Sequence, residues 1–298
     1  MSEAVQGTGL NNRAVILIIV AMALLAVQEG IAKYLGQHLS VPQVVWARYA
    51  SHAMLMLVIL FPRHGFKIFK SKIPFMQTGR SLLLFTDTAL FFTGLTLIGL
   101  AEATAIFFMA PLFVVLISIP LLGERVGWYS FGAIFVGFLG MLLIVRPGLD
   151  GMNIGGLMIV GSAVCMSLFN VSTRKLAGTD DAEVTMMFTA MVGFVVASIA
   201  LPFFWTTPEG LWVWLGMIFI GMIGGVAHNL FIIAHENEEA SKLAPFMYSQ
   251  IIFAIALGWL MFSMLPDIYT VIGSIIVIGS GLFLWKRGRV KAEDLEQL

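Results

Sequence analysis

The chain has 298 residues, of which 59% are hydrophobic and only 11% are charged, and its mean hydropathy is +0.95. Soluble domains carry about 25% charged residues, so this composition excludes a soluble globular protein and indicates one that crosses a membrane several times. The formal net charge of zero excludes an overall attraction to nucleic acid, and the single cysteine, Cys165, excludes an internal disulfide.

The apolar runs are the main structural signal along the chain. Spanning the hydrocarbon layer takes about 20 residues of helix. Runs bounded by proline, glycine and charge clusters predict ten membrane-spanning helices with short connections. The predicted segments are 14–35, 42–61, 74–98, 101–121, 127–145, 154–174, 182–204, 211–233, 241–262 and 267–285. We therefore predict an all-α integral membrane protein that lies in a lipid bilayer.

Lysine and arginine are distributed unevenly between the two sides of these segments. All but four of the 17 fall in the N-terminal segment 1–13, in the connections after segments 2, 4, 6 and 8, or in the tail 286–298. Because cytoplasmic connections carry the excess of basic residues, this pattern predicts that both termini are cytosolic. We expect a multi-pass protein of the bacterial inner membrane, with Lys33 and Arg146 on the outer face.

The sequence repeats itself once, as 14–147 and 151–285. The repeat is clearest where AEATAIFFMAPLF (101–113) lines up with EASKLAPFMYSQ (239–250), which pairs Pro111 with Tyr248. Each copy holds five predicted helices, and because five is odd the second copy must enter the membrane the opposite way up. Inverted repeats are typical of transporters, in which the substrate site lies near the midplane between the copies.

Glu29 is the first of three charged residues that we single out inside apolar segments. An ionised side chain at the centre of a membrane helix costs roughly 2.5 to 3.5 kcal/mol, so a partner or a water-filled cavity is expected. Lys33, one turn further along, is one candidate partner. Arg48 in segment 2 is the other, unless it holds a substrate carboxylate. The repeat places uncharged Asn170 and Thr189 at the positions that match Glu29 and Arg48.

Asp87 in segment 3 has no basic residue within one helical turn, since the positions three and four residues away are leucine and phenylalanine. We therefore predict that Asp87 is the main functional carboxylate, binding a substrate cation or a proton. Other polar and aromatic residues inside apolar segments are further candidates, since rings stack on planar or cationic ligands. These candidates are Trp46, Phe108, His228, Asn229, Tyr248 and Gln250.

No sequence motif indicates catalysis or a metal ion. His235 and Glu236 do not form HExxH, because Glu239 occupies the place of the second histidine. GxSxG, GxxxxGK[ST] and a Cys/His cluster are also missing from the sequence. We therefore predict no enzyme activity, no metal, no cofactor and no ATP-driven pumping.

Several short stretches together resemble a known family. They are Ala103-Thr104, Pro111 in the middle of segment 4, the turn Gly123-Glu124-Arg125, the glycine-spaced segment 5 and SVPQVVWARY at 40–49. With these features the chain resembles the EamA branch of the drug/metabolite transporter superfamily over residues 13 to 288. It departs from the family at Ser263-Met264, where Gly-Glu is common.

The resemblance implies a ten-helix carrier, built from two inverted five-helix repeats, that works by alternating access. Helices 1, 3, 4, 6, 8 and 9 surround the central cavity in such proteins. The cavity would then be bordered by Glu29, Asp87, Phe108, Asn170, His228 and Tyr248.

We predict a secondary transporter of a small, amine-bearing or zwitterionic metabolite, such as an amino acid or a quaternary amine. Its five-helix halves would rock about a midplane site, with protons as the candidate coupling ion, in a monomer or a homodimer. The alternative substrate is a planar-ring metabolite such as S-adenosylmethionine or riboflavin, and it depends on Trp46, Phe107, Phe108 and Tyr248.

Overall fold

The computed structural model describes residues 11–122, 128–146, 153–176, 178–238 and 240–296, and its long regular elements are helices. The first repeat contains α1 (Asn12–Leu35), α2 (Val41–His64), α3 (Pro74–Leu97), α4 (Leu100–Phe107), α5 (Ala110–Leu122) and α6 (Trp128–Val145). The second contains α7 (Ile154–Leu176), α8 (Ala182–Ala200), α9 (Leu211–Asn237), α10 (Ala240–Met247), α11 (Ser249–Phe262) and α12 (Ile268–Glu296). Short 3-10 helices, Gly65–Phe69 and Leu201–Phe203, follow α2 and α8.

Within the described residues, helices lie at each of the ten predicted spans, and the fourth and the ninth are each made of two shorter helices. Eight residues of α4 precede the break at Phe108, and eight residues of α10 precede the break at Tyr248. Pro111 is the second residue of α5, where its missing N–H costs no helical hydrogen bond. The breaks make Phe108 and Tyr248 equivalent, so the sequence pairing of Pro111 with Tyr248 is shifted by three residues.

Within the described residues, seven helical segments are long and apolar enough to cross a membrane, and α6 and α12 contain shorter apolar stretches. The remaining span is α3, which carries Gln77, Arg80 and Asp87 in its buried face. The last helix, α12, continues beyond the predicted end at 285 to Glu296. The predicted turn at 123–125, the boundaries at 147 and 151, and residues 1–10 lie outside the described residues.

Hydrogen bonds between connections show that the two repeats are inverted. The start of α1 lies beside the end of α9, since the Asn11 N–H donates to Glu238 (2.8 Å). The other end of α1 lies beside the end of α3, where Lys33 donates to Leu95. In contrast, α7 starts at this second end, which we call the Lys33 end, because Asn153 donates there to Glu102 of α4. The helices α1 and α7 therefore run in opposite directions.

The packing follows the same pseudo-two-fold symmetry and mixes the repeats. Helix α1 packs along α9, and its counterpart α7 packs along α3. Likewise α1 packs on α11 while α7 packs on α5. We call α1, α2, α9, α10 and α11 bundle A, and α3, α4, α5, α7 and α8 bundle B. Each bundle contains helices of both repeats, and α1 and α9 of bundle A come from different repeats. If the two sequence halves moved as rigid bodies, as predicted from the sequence, α1 would have to separate from α9.

Ser263 occupies the residue after α11 in the left-handed region, with φ of 54°. Its N–H closes the helix end by donating to Trp259. Glycine is the residue best suited to this conformation, so Ser263 carries a strain cost at the position where glycine is common in the family that the chain resembles.

Helices α6 and α12 form a close pair at the side of the two bundles. A Cβ atom added at Gly273 of α12 would lie 2.7 Å from the Gly140 carbonyl oxygen of α6 and 2.4 Å from Ile144. On the same helix, a Cβ atom added at Gly279 would meet no atom within 4 Å. Gly273 is therefore required by the approach of two backbones, as is common where membrane helices pack through small residues.

We expect Gly273→Ala to lower the thermal stability of the detergent-purified protein, because overpacking at a backbone contact costs about 1 to 3 kcal/mol. Gly279→Ala is the matched control and should leave stability equal or higher, since alanine favours helix by up to about 1 kcal/mol. Tryptophan fluorescence during heating measures both. Equal shifts for the two variants would contradict the contact at Gly140.

Candidate functional site

Glu29 on α1 lies buried between the two broken helices. Its carboxylate accepts hydrogen bonds from Thr104 Oγ1 of α4 (3.0 Å) and from Gln250 Nε2 of α11 (2.7 Å). Thr104 comes four residues before the break at Phe108, and Gln250 comes two residues after the break at Tyr248. Neither of the two candidate partners, Lys33 and Arg48, therefore pairs with Glu29 in this structure.

Lys33 instead closes the end of α3. Its Nζ donates to the carbonyl oxygens of Leu95 (2.6 Å) and Ile98 (2.7 Å), and it lies 5.6 Å from the ring centre of Phe262. The last carbonyl groups of a helix have no partner within the helix and carry partial negative charge, so a cation is favourable there. Lys33 thus joins bundle A to bundle B.

Asp87 on α3 is 5% exposed and accepts a hydrogen bond from Ser162 Oγ of α7 at 2.6 Å. Arg48 and Glu29 both lie within electrostatic range of this carboxylate. Two carboxylates and one guanidinium share the same interior.

Arg48 on α2 has one hydrogen-bonding group without a partner. Its guanidinium lies over the ring of Tyr49, 4.8 Å from the centroid, but the buried Nη1 donates to no described atom. The Tyr49 ring is fully buried against Gly193, and its hydroxyl lies 3.2 Å from Thr88 Oγ1. Leaving a buried donor unpaired costs about 1 to 3 kcal/mol, so Arg48 is held at a cost to stability.

Arg80 on α3 provides a contrast, because its guanidinium is satisfied. It donates to Gln77, to Thr173, and to both the Thr185 carbonyl and Thr189 Oγ1, and its guanidinium lies 4.7 Å from the ring centre of Phe169. Thr189 occupies the position in the second repeat that matches Arg48 in the first, and Arg80 of α3 donates to it. One arginine therefore lies at each of the two matching positions. Of these two arginines, only Arg48 has a buried nitrogen without a hydrogen-bond partner among the described residues.

Aromatic side chains lie at the two helix breaks. The rings of Phe108 and Tyr248 are 5.0 Å apart and tilted by 35°, and Phe107 meets Phe91 edge-on at 5.1 Å. Gly281 leaves the space that the Tyr248 hydroxyl fills. The Ser249 hydroxyl beside it is buried and has no partner among the described residues.

The other predicted site residues are divided between the interior and the surface. Trp46 donates to Ser198 of α8 at 3.0 Å and packs in an aromatic group with Phe194 and Trp205. His228 is half-buried, and its Nδ1 pairs with the Gly224 carbonyl at 2.8 Å.

The two predicted asparagines differ from this group because both side chains are exposed. Asn229 shares the outward face of α9 with Ile218 and Val226, so the structure does not bring it to the cluster. Asn170 lies seven residues after buried Ala163 and eleven after buried Ile159, on the inward face of α7. Its exposure therefore indicates an opening between the bundles.

Two apolar grooves lie away from the polar cluster. One, of about 390 Å³, runs between α5 and α6, and the other, of about 780 Å³, runs between α6 and α12. Aromatic and aliphatic side chains line both, including Phe131 and Phe135. Exposed apolar surface of this kind is where a membrane protein meets lipid, so the grooves do not belong to the site.

The sequence model of the EamA-like transporter family matches two stretches of the chain, residues 12–146 and 153–285. The chain belongs to this family. It is therefore a membrane transporter, which confirms the predicted family and the predicted transporter class. The two matched stretches correspond to the two inverted repeats of the structure.

Several named proteins are similar to this transporter. An S-adenosylmethionine uptake transporter of Rickettsia felis is 27% identical over 254 residues, which are 85% of each chain. A riboflavin transporter of Rhizobium johnstonii is 25% identical over 78% of each chain. The pseudopaline exporter CntI of Pseudomonas aeruginosa is 26% identical over 90% of this chain and 94% of that one.

A solved crystal structure has the same fold as this transporter. It gives a TM-score of 0.64 at 19% identity and covers 91% of this chain and 96% of the other.

The transporter is closed at the Lys33 end and open at the other. Helix α4 packs against α11 and α12, whereas its counterpart α10 makes no comparable contact with α5 or α6 in the described ranges. Likewise α1 meets α3, but α7 does not pack on α9 among those residues. The exposed inward-facing Asn170 lies in the open half.

Hydrogen bonds between the bundles follow the same asymmetry within the described part of the chain. Those from Lys33 to α3, from Thr104 to Glu29 and from Trp46 to Ser198 join bundle A to bundle B in the closed half. In the open half, Asn11–Glu238 and Gln77–Asp180 each lie within one bundle. The contact of Asp180 with Ser71 of the α2–α3 connection matches the contacts of Ser40 and Gln43 with the α8–α9 connection in the closed half, so these pairs do not differ between the two ends.

We expect Arg48 and Arg80 to respond oppositely to replacement by methionine. Arg80→Met should lower the free energy of unfolding by at least about 2 kcal/mol, the scale of one or two hydrogen bonds to a charged group. Arg48→Met should stay within about 1 kcal/mol of wild type, because removing an unpaired donor offsets the lost contact with Tyr49. Thermal unfolding in detergent measures both, and equal destabilisation would contradict the unpaired state of Arg48.

We expect Lys33→Met to open the closed end, because it removes two hydrogen bonds from a charged donor to α3. Each is worth about 1.5 to 3 kcal/mol, which corresponds to at least about tenfold in the open population. A cysteine at buried Leu100, introduced in a Cys165→Ser background, reports the change by its rate of labelling with a membrane-impermeant maleimide. Lys33→Arg keeps a donor and should label slowly. Equal labelling rates in wild type, Lys33→Met and Lys33→Arg would contradict the role of Lys33 in closing this end.

Proposed function

We propose that this transporter carries S-adenosylmethionine or a close chemical relative, a small molecule with a planar ring, a cationic centre and a carboxylate. The observation that carries the proposal is the charge content of the interior. Glu29 and Asp87 lie buried there within electrostatic range of each other, and Arg48 keeps a buried N–H unpaired. A ligand with charges of both signs would supply a partner of opposite charge to the two carboxylates and to the guanidinium.

Each part of such a ligand has a chemical counterpart on the chain. The carboxylates of Glu29 and Asp87 suit the sulfonium and ammonium groups, since opposite charges attract strongly away from water. The guanidinium of Arg48 suits the carboxylate, which it can bind through two parallel N–H groups. The paired rings of Phe108 and Tyr248 suit the purine, because aromatic faces stack on planar rings and attract cations.

The named relatives and the charged groups of the interior together support this substrate over the two other predicted kinds. Transporters named for S-adenosylmethionine and for riboflavin are both similar to this chain, and both substrates contain planar rings. A simple amino acid or quaternary amine would leave the rings at the helix breaks without a ligand. Riboflavin is uncharged, so it would leave Arg48, Glu29 and Asp87 without ionic partners.

The orientation proposed from the basic residues places the open end in the cytosol of a bacterium and the Lys33 end outside. Transport by alternating access would then close the open half and release the hydrogen bonds at the Lys33 end. The moving bodies would be bundles A and B, since each sequence repeat is divided between them. Protons remain our candidate coupling ion, with Glu29 and Asp87 as the groups that would bind them.

Purified protein in liposomes loaded with unlabelled S-adenosylmethionine should accumulate the labelled compound by exchange, and excess riboflavin should not compete. Asp87→Asn should reduce exchange at least about tenfold, because a neutral amide loses the ionic attraction worth 1.4 kcal/mol or more. The protein must keep its thermal stability in this variant.

Arg48→Met in the same assay should also fail to exchange, while Asn229→Ala, on the lipid-facing side of α9, should exchange as wild type does. Full exchange by Asp87→Asn would contradict the role of the carboxylate. No exchange by wild type, with riboflavin transported instead, would contradict the proposed substrate.

A further inference from the structure

His52, like Arg48, has a buried side-chain nitrogen without a hydrogen-bond partner among the described residues. Its Nε2 is one of three buried side-chain atoms in the described residues that make no hydrogen bond, together with Arg48 Nη1 and Ser249 Oγ. His52 follows Arg48 by four residues, so the two side chains lie one turn apart on the same face of α2. Each lies within electrostatic range of the other.

Glycines of α9 bring its backbone close to this face of α2. A Cβ atom added at Gly221 would lie 2.0 Å from the Arg48 carbonyl oxygen and 2.6 Å from the His52 nitrogen, so the two backbones touch there. One turn further, the His52 ring lies over Gly225, whose added Cβ would be 3.2 Å from Cδ2. The Gly221 N–H donates to Ser51 Oγ at 2.9 Å, which fixes α2 against α9.

Neighbouring groups decide which ligand suits the two free nitrogens. His228 also lies within electrostatic range, but its Nδ1 is already paired with its own helix, at Gly224. Asp87 lies within range of Arg48 and would repel a doubly charged anion such as phosphate. A monoanion with two acceptor atoms and a cation close by meets these conditions, and the α-carboxylate of an amino acid is such a group.

We propose that Arg48 and His52, one turn apart on α2, form a carboxylate-binding subsite, and that His52 determines selectivity for substrates with an intact amino-acid end. One carboxylate oxygen would accept from Arg48 Nη1 and the other from His52 Nε2–H, the tautomer that donates from this nitrogen. The inference rests on the proposed function for the identity of the substrate, but its chemistry requires only a carboxylate.

The test compares ligand pairs that differ only by the carboxylate. The pairs are S-adenosylmethionine with its decarboxylated form, and methionine with 3-(methylthio)propylamine. Thermal-shift titration of the purified full chain gives an affinity for each, because binding to the folded state raises its stability. Wild type should prefer the carboxylate member by about tenfold or more, since a hydrogen bond to a charged group is worth at least this factor.

His52→Phe keeps the ring shape but removes the donor, and it should reduce this preference at least about fivefold. His52→Gln keeps an N–H and should retain part of the preference, which separates loss of the donor from loss of the fold. The control is His235→Phe, two turns further along α9 from His228, where Nδ1 pairs with the Phe231 carbonyl. This control should discriminate as wild type does.

An unchanged preference in His52→Phe would overturn the subsite, as would a wild type that does not discriminate in either pair. If neither adenosyl ligand binds but methionine is still preferred over its amine, only the proposed substrate fails. If both adenosyl ligands bind equally well, the substrate class stands and the carboxylate subsite fails.

Discussion

The cost of placing charged groups in hydrocarbon governs how this transporter is built. Each ionised side chain at the centre of a membrane helix costs roughly 2.5 to 3.5 kcal/mol unless it finds partners. Lys33 finds the end carbonyls of α3, Arg80 finds the side chains and backbone of α7 and α8, and Glu29 finds Thr104 and Gln250. Arg48 keeps one buried nitrogen unpaired, and that unpaired group connects the fold to a ligand.

The pseudo-two-fold symmetry explains where the buried charged groups lie. The departure from this symmetry explains why the molecule is closed at one end and open at the other. The two broken helices meet at Phe108 and Tyr248, and the groups around Glu29 lie at these breaks. If the symmetry were complete, the contacts of α4 with α11 would recur between α10 and α5. Within the described residues they do not, so the same fold is closed at one end and open at the other.

The helices and their inversion could be predicted from the sequence, because run length, the distribution of basic residues and an odd helix count are properties of the chain alone. The hydrogen-bond partners of Glu29 and Lys33 could not be predicted, because helical spacing indicates only neighbours three or four residues away on the same helix. Thr104, Gln250 and Leu95 come from other helices and lack charged side chains, so electrostatic pairing gave no signal for them. Asn229 was misplaced for a different reason, since its position in an apolar segment does not indicate which face of the helix it occupies.

The most direct test of the central claim is a structure of the transporter with S-adenosylmethionine bound. The account predicts that the ligand carboxylate lies within hydrogen-bonding distance of Arg48 Nη1, with the cationic centre towards Glu29 and Asp87. A bound ligand that leaves Arg48 Nη1 unpaired, with its carboxylate elsewhere, would contradict it.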